Sequence, residues 1–336
     1  VVLHQPTVNV KANMSVASKT VTIYKGDEMP TNPEILNQLF DKETVAANAM
    51  VDQNRFTIKW YTDKDCTVPA KDKNGNDVTD LSQLSNDNKH PSANIKYYIK
   101  VTYDVGKPSE ESNQNTKIGD KTYIAGTAQG GGENIQYTES ATGIYTVNVI
   151  SGEIQITKKL VDEAGNQFTE VNPQTFKFKV TKLQQNESGT IENDEAGNPL
   201  LDTTFGDASS DGTGKTGSVV VTVTVPKNSS EESLTGNQLK NLPRGIYEVE
   251  EVETSADYEF DSAEVDTDKT DCYAVKDTQV TQNKKVRFSL GYKLDENNVI
   301  NVIDASYKHT GGGRKGVTTY TNKLKTANLD LKKTDN

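Results

Sequence analysis

The strand pattern at residues 153–160, Glu-Ile-Gln-Ile-Thr-Lys-Lys-Leu, constrains the fold of this chain more than any other stretch. Ile154, Ile156 and Leu160 share one parity, which is typical of a β-strand with one buried face. Lys158 has the same parity, so the pattern predicts a lysine that points into a core. Burying an unpaired ammonium group is strongly unfavourable. A fold built on this strand must therefore offer Lys158 a compensating partner.

Two later strands supply candidate partners for this lysine. In residues 245–251, Gly-Ile-Tyr-Glu-Val-Glu-Glu, Glu251 has the parity of the apolar tyrosine and valine. In residues 318–323, Thr-Thr-Tyr-Thr-Asn-Lys, Asn322 lies near the end of the last predicted strand. An inward lysine, glutamate and asparagine on three strands would form a reactive set.

Three motifs in this order resemble the isopeptide-bonded domains of Gram-positive pilins and adhesins. They are Ile-Thr-Lys on the first strand, Leu-Pro-x-Gly…Tyr-x-Val-x-Glu on a middle strand and Tyr-Thr-Asn-Lys on the last. The pattern is most similar to the CnaB-like modules of T-antigen-type pilus subunits and covers residues 153–325. Three spaced motifs are more specific than one. The resemblance implies an amide bond between Lys158 and Asn322, with Glu251 as the catalytic acid.

The expected chemistry requires a neutral amine, because an ammonium group has no lone pair. Burial favours the neutral forms of amines and carboxylic acids. Glu251 would donate a hydrogen bond to the Asn322 carbonyl and shuttle protons as ammonia leaves. The alternative from the residues alone is a buried ion pair between Lys158 and Glu251, with Asn322 as a hydrogen-bond partner. The neighbouring Lys159, Glu248 and Glu250 have the opposite parity and are predicted to face solvent.

The remaining pattern predicts an all-β chain of two tandem Ig-like/CnaB-like β-sandwich domains. The expected boundaries are an Ig-like domain at 1–152, a CnaB-like domain at 153–326, and the start of a truncated following domain at 327–336. Residues 143–149, a glycine followed by Tyr-x-Val-x-Val, resemble the final strand of bacterial Ig-like modules. The polar residues 184–217 are predicted to form a mobile insertion.

The first domain offers no comparable reactive set. Lys19 and Lys25 fit the ends of a strand, while Asn148 has the opposite parity to the apolar residues beside it. No isopeptide bond is predicted there. Trp60, the only tryptophan, is predicted to be a core residue.

Composition excludes several classes of function. Asp and Glu number 48 against 37 Lys and Arg, a net charge of −11, which argues against binding to nucleic acid or an anionic membrane surface.

Cys66 and Cys272 are expected to be unpaired thiols. Residues 72–77 faintly resemble a calcium loop, but position twelve of that loop would be Gln83, so neither a metal nor a cofactor is predicted. No serine or cysteine has a histidine and an acid in a recognisable setting, and no enzyme activity is predicted.

The predicted function is a stalk or shaft module of a Gram-positive pilin or adhesin, stabilised by a Lys–Asn isopeptide bond. The alternatives are an adhesin module that binds a host protein or glycan, and an accessory module of a secreted glycan-active enzyme. Neither a signal peptide nor a sortase-type Leu-Pro-x-Thr-Gly motif is present, which fits a mature piece of a longer protein. The expected location is extracellular, anchored to the cell wall. The expected partners are other pilin subunits or the cell wall, joined by sortase.

Overall fold

The computed structural model is an all-β protein, as predicted, with fifteen strands and one short α-helix in the part of the chain that it describes. The chain divides into two compact units, 1–149 and 150–336. The predicted domain boundaries stay predictions, and the predicted start of a following domain at 327–336 lies outside the described residues. The structure describes residues 19–39, 56–84, 93–104, 115–118, 121–124, 138–169, 172–187, 189–276, 284–292 and 313–325.

The first unit is organised around one four-stranded sheet. Its strand order is β1-β6-β3-β2, and β4 and β5 form a separate hairpin. The strand β3 is antiparallel to both β2 and β6. These elements are β1 (Lys19–Tyr24), α1 (Asn32–Leu39), β2 (Phe56–Tyr61), β3 (Ile95–Asp104), β4 (Asn115–Ile118), β5 (Lys121–Ile124) and β6 (Thr138–Ile150).

The core of this unit forms on one face of the sheet, where α1 adds Ile35 and Leu36 to the buried strand residues. Trp60 is 1% exposed and packs edge to face on Tyr145, with ring centroids 5.7 Å apart, so its prediction as a core residue is confirmed. Such pairs of aromatic rings stabilise a core beyond their buried area.

The helix α1 begins with a pair of hydrogen bonds between Thr31 and Glu34. The Thr31 N–H donates to Glu34 Oε2 at 2.8 Å, and the Glu34 N–H donates back to Thr31 Oγ1 at 3.5 Å. This reciprocal pair is a capping box, in which the residue before the helix satisfies free N–H groups. Thr31 therefore caps the helix, while the side chain of Asn32 donates to the Thr79 carbonyl instead.

The second unit contains two sheets with nine strands in the described residues. The four-stranded sheet has the order β10-β7-β15-β12, and the five-stranded sheet has the order β13-β14-β11-β8-β9. The strands are β7 (Glu153–Val161), β8 (Gln174–Leu183), β9 (Ser218–Val225), β10 (Glu231–Leu234), β11 (Gly245–Glu253), β12 (Tyr258–Val265), β13 (Tyr273–Lys276), β14 (Lys285–Leu290) and β15 (Lys315–Leu324).

Period-2 alternation explains how these two sheets form a sandwich. In β8, Phe176 and Phe178 are fully buried, while Lys177 and Lys179 are partly exposed. The first and last strands of the unit, β7 and β15, are parallel neighbours in the same sheet. A parallel pair of strands requires a crossover connection. Here the strands between them form that crossover, so β7 and β15 lie side by side and run in the same direction.

The polar segment 184–217 is more ordered than its composition indicates. Isolated bridges join Leu183 to Leu201 and Asn193 to Pro199. At one hairpin tip, Asp194 Oδ1 accepts the N–H groups of residues 196 and 198 at 2.9 and 2.8 Å. Asp side chains stabilise turns in this way. The predicted mobile insertion is instead a set of short hairpins.

A buried lysine, glutamate and asparagine as the candidate functional site

The three residues that the sequence predicted to meet do meet inside the second unit. Lys158 and Asn322 are 0% exposed, and Glu251 is 2% exposed. Lys158 Nζ donates to Glu251 Oε2 at 2.8 Å. Asn322 Nδ2 donates to Glu251 Oε1 at 2.7 Å. Lys158 Nζ also donates a short hydrogen bond to Asn322 Oδ1.

The two sheets contribute the site from opposite sides. Lys158 on β7 lies opposite Tyr320 on the parallel strand β15, and Asn322 follows two residues later on the same face. Glu251 lies on β11 in the other sheet, opposite Phe178 of β8. The amine and the amide are therefore neighbours within one sheet, and the carboxyl group reaches them across the core.

Aromatic rings close the site against water. Lys158 Nζ lies 4.5 Å from the centroid of Phe176 and 6.0 Å from that of Phe178. Phe178 packs on Tyr320 with centroids 5.0 Å apart. The Tyr320 hydroxyl donates to the Val249 carbonyl at 2.7 Å, so the ring is fixed between the sheets. A site lined in this way has few other partners for a charged amine.

Burial changes the ionisation of the lysine. It lowers the pKa of Lys158 from 10.5 to about 8, although the Glu251 carboxyl group acts in the opposite direction. The positive charge of Lys284 contributes to the lowering. A neutral amine is therefore far more accessible at Lys158 than at an exposed lysine. Among the described residues, Lys158 is the one buried lysine.

The orientation of the asparagine amide differs from the prediction. Glu251 is predicted to donate a hydrogen bond to the carbonyl oxygen of Asn322, but in the structure Glu251 Oε1 accepts from the amide nitrogen instead. The carboxyl group thus has one oxygen on the lysine nitrogen and the other on the asparagine nitrogen. This arrangement suits proton transfer from an attacking amine to a leaving amide nitrogen.

One contact of the site was missed from the sequence. Thr254 Oγ1 donates to Glu251 Oε1 at 2.5 Å. In a regular strand, a residue three positions after Glu251 would face the opposite side. The pairing of β11 with β8 shifts between Glu251 and Glu253, which changes the parity. A β-bulge gives no periodic signal in a sequence, so Thr254 could not be assigned to the site.

The residues predicted to compete with the site lie outside it, as expected. Lys159 pairs in register with Glu231 on β10. Glu248, predicted to face solvent, is only partly exposed, because Lys285 and Arg287 each donate to its carboxylate at 2.9 Å. These hydrogen bonds hold the pKa of Glu248 below its ordinary value despite burial.

The calcium-like loop is a hydrogen-bonded turn. Asp72 Oδ1 accepts the N–H groups of Asn74 and Asn76, both at 2.8 Å. The backbone hydrogen bond from Asn76 is the main cause that lowers the pKa of Asp72. No group of three or more histidine, cysteine, aspartate or glutamate side chains that could hold a metal occurs within the described ranges. Likewise, none of the helices in those ranges is both long and apolar enough to span a membrane.

Comparison with known proteins gives similar structures but no sequence family. Neither the known family models nor the curated proteins include a match to this chain. A bacterial adhesin from Mobiluncus mulieris, containing intramolecular disulfide, isopeptide and ester bond cross-links, is similar with 10% identity and a TM-score of 0.31. The match covers 70% of this chain and 60% of the adhesin chain, so this chain spans less than two thirds of the length of that protein.

Two further similar structures are pilus proteins. The major pilin from Streptococcus pyogenes has 13% identity and a TM-score of 0.25, over 80% of this chain and 89% of that one. The C-terminal fragment of a pilus adhesin from Lactobacillus rhamnosus GG has 11% identity and a TM-score of 0.25, and the match covers 93% of this chain and 99% of that fragment.

Proposed function

We propose that the second unit is a structural shaft module of a cell-surface pilin or adhesin, stabilised by an amide bond that Lys158 and Asn322 form without another enzyme. The contact that supports this proposal is the bridging carboxyl group of Glu251. It is hydrogen-bonded to the nitrogen that attacks and to the nitrogen that leaves. A simple ion pair has no need of an asparagine amide fixed between the same two residues.

The reaction follows from these contacts. A proton passes from Lys158 Nζ to Glu251, which leaves a neutral amine and a neutral acid in an apolar enclosure. Nζ attacks Cγ of Asn322, a bond forms between them, and the bond from Cγ to Nδ2 breaks. Glu251 gives its acid proton to the departing Nδ2 and then takes one of the two protons on Nζ, while the other stays on the new amide nitrogen. The products are a secondary amide and one molecule of ammonia.

The positions of the three groups in the folded chain account for much of the expected rate of amide formation. Reactions between well-oriented groups in one molecule reach very high effective molarities, because the entropy cost of bringing them together is already met. Folding meets that cost here, since three strands of one sandwich fix the amine, the amide and the acid. The bond is therefore expected only in the folded chain.

The position of the bond explains a mechanical role. Lys158 and Asn322 are 164 positions apart in sequence but lie on adjacent parallel strands. A force that enters at the start of β7 and leaves at the end of β15 would cross the bond directly. The strands between them would carry none of that load. A module of this kind suits a fibre shaft that is pulled along its length.

The partners and location belong to the same proposal. A shaft module acts in a longer cell-surface protein, with other pilin subunits or the cell wall joined to it by sortase. A host ligand is the alternative partner. Binding to an array of glycans and host proteins would distinguish the two roles. A shaft module should give no specific binding signal, whereas a ligand-binding module should.

The intact mass tests the proposed bond. The purified chain should be lighter than its sequence mass by one ammonia molecule, and a digest should contain one branched peptide that carries both Lys158 and Asn322. The matched control is Lys158→Ala, which should have its full sequence mass. A folded wild-type chain with an unchanged mass would contradict the proposal.

A further inference from the structure

The Glu251 carboxyl group has a third hydrogen-bond donor, which the reaction above does not use. Thr254 Oγ1 donates to Oε1 at 2.5 Å, the same oxygen that accepts from Asn322 Nδ2 at 2.7 Å. Lys158 occupies the other oxygen. Two donors on one oxygen and one on the other fix the rotation of the carboxyl group about its last torsion angle. That torsion is otherwise soft, because terminal carboxyl groups have broad rotamer preferences.

The backbone is shaped to bring this hydroxyl to the site. Glu251 pairs with Phe178, but Glu253 pairs with Lys177, so two steps along β11 match one step along β8. This is a β-bulge, and bulges are frequent where a side chain must be re-aimed near an active site. The extra residue, Val252, is 47% exposed and points away from the core. Without the bulge, Thr254 would face outward.

The segment after the bulge is held at both ends. Glu253 forms an ion pair with Lys177 at 2.7 Å, and Ser255 Oγ donates to Gln174 Oε1 at 2.5 Å. The Tyr258 N–H donates to the Ser255 carbonyl at 3.0 Å, and the Tyr258 ring is 1% exposed. Thr254 lies between these attachments, so the position of its hydroxyl is set by the fold.

We infer that Thr254 is a positioning residue for the amide-forming reaction, which holds the Glu251 carboxyl group in the plane that joins the two nitrogens. This inference rests on the proposed function. Because proton transfer depends on hydrogen-bond geometry, a carboxyl group free to rotate would spend less time joined to both nitrogens. The bond would still form without Thr254, but more slowly.

The test measures the rate at which the bond appears in newly made protein. Full-length chain is synthesised in a cell-free translation reaction, samples are quenched in acidic denaturant over time, and the loss of one ammonia is followed by mass spectrometry. Thr254→Val, which removes the hydroxyl at nearly constant shape, should slow the loss by about tenfold or more, since small misplacements of reacting groups have effects of this size. Thr254→Ser keeps the hydroxyl and should react at close to the wild-type rate.

A matched control and a folding control complete the design. Thr175→Val removes another strand hydroxyl, which contacts Thr224 Oγ1 at 3.3 Å on the exposed side of β8, and should leave the rate unchanged. Thr254→Val on a Lys158→Ala background, which cannot form the bond, should fold as fast as Lys158→Ala alone.

The outcomes separate this inference from the proposed function. Equal rates for wild type and Thr254→Val, with the bond present in both, would overturn the role of Thr254 and leave the bond itself in place. Slow folding of the double variant, matching the slow loss of ammonia, would also overturn it. A wild-type chain that never loses ammonia would overturn both proposals.

Discussion

Lys158 and Asn322 lie on adjacent parallel strands, and Asn322 is two residues beyond the register partner of Lys158. This diagonal offset matters, because a lysine side chain is long enough to lean along the strand while the asparagine side chain is short. The amine therefore reaches the amide without distortion of either strand. Glu251, from the facing sheet, is the only ionisable partner hydrogen-bonded to this amine among the described residues.

Replacing Glu251 with glutamine separates a reactive site from a buried ion pair. Glu251→Gln keeps the shape of the side chain but cannot relay a proton. We expect the variant to fold and to retain its full sequence mass, while wild type is lighter by one ammonia. The measurement is intact mass, with circular dichroism to verify folding.

Glu250→Ala is the matched control for this variant. Glu250 lies on the outer face of β11, 3.7 Å from Lys285, and its loss should leave bond formation intact. If wild type and Glu251→Gln each had their full sequence mass, Lys158 and Glu251 would form an ion pair and nothing more.

Strand parity in the sequence predicted much of this site. Lys158 and Glu251 were assigned from alternation alone, because both share a face with apolar residues in regular strands. Asn322 is a candidate partner from its place on the last predicted strand, but its role as the group that Lys158 attacks comes from the resemblance to isopeptide-bonded domains. Thr254 was missed because parity fails at the bulge between Glu251 and Glu253.

Two other features of the structure could not be predicted from the sequence, for physical reasons. The amide orientation of Asn322 depends on which donors surround it in three dimensions. The hairpins of the segment 184–217 depend on local hydrogen bonds, such as those of Asp194, which stabilise turns without any hydrophobic pattern. Hydrophobic periodicity therefore located the strands but gave no sign of the hairpins in this polar region.

Gly316 is predicted to be required for packing between the two sheets. A Cβ atom there would lie 2.6–2.9 Å from ring atoms of Phe288, which is fully buried on β14. We expect Gly316→Ala to destabilise the second unit by about 1–3 kcal/mol, the usual range for overpacking a core. Chemical denaturation in a Lys158→Ala background, which cannot form the proposed bond, would measure this change in the free energy of unfolding.

Gly214→Ala is the matched control for this substitution. The nearest atom to its added Cβ is the Thr203 carbonyl oxygen, at 3.8 Å, which is ordinary contact. Its free energy of unfolding should be unchanged. Equal effects of the two substitutions would show that Phe288 can move away from Gly316 at no cost.

The two cysteines are predicted to react as separate thiols with different rates. Both are free in the structure, in agreement with the sequence analysis. Burial, followed by the charge of Asp271, raises the pKa of Cys272 to about 12. Burial and the charge of Asp63 also raise the pKa of Cys66, but less. Since the thiolate is the nucleophile, iodoacetamide at pH 8 should label Cys66 first.

Peptide mapping over time would follow this labelling, with Cys66→Ser and Cys272→Ser to assign each phase. Both sites should be labelled without a reducing agent. Labelling that begins only after reduction would show that the thiols are oxidised in the purified protein.

The last prediction concerns the charge of Lys158 and requires a chain that cannot form the bond. Asn322→Ala removes the reacting amide but keeps the buried lysine beside Glu251. Burial lowers the pKa of Lys158 to about 8 in the folded chain, whereas the ordinary value of 10.5 applies when the chain is unfolded. Between these two pH values the unfolded chain binds one more proton than the folded chain. The free energy of unfolding must therefore rise with pH over this window.

The expected size follows from the width of the window. Each pKa unit corresponds to about 1.4 kcal/mol, so Lys158 should add about 3 kcal/mol between pH 8 and pH 10.5. Below pH 8 the lysine is protonated in both states, and its contribution should be constant.

Other groups also titrate at high pH, and the double variant Lys158→Met/Asn322→Ala corrects for them. The quantity to measure is the difference in unfolding free energy between the two variants, by urea denaturation across this range. If that difference stayed flat or fell as the pH rose, Lys158 would be a charged partner of Glu251, and a neutral nucleophile would not be accessible in the folded chain.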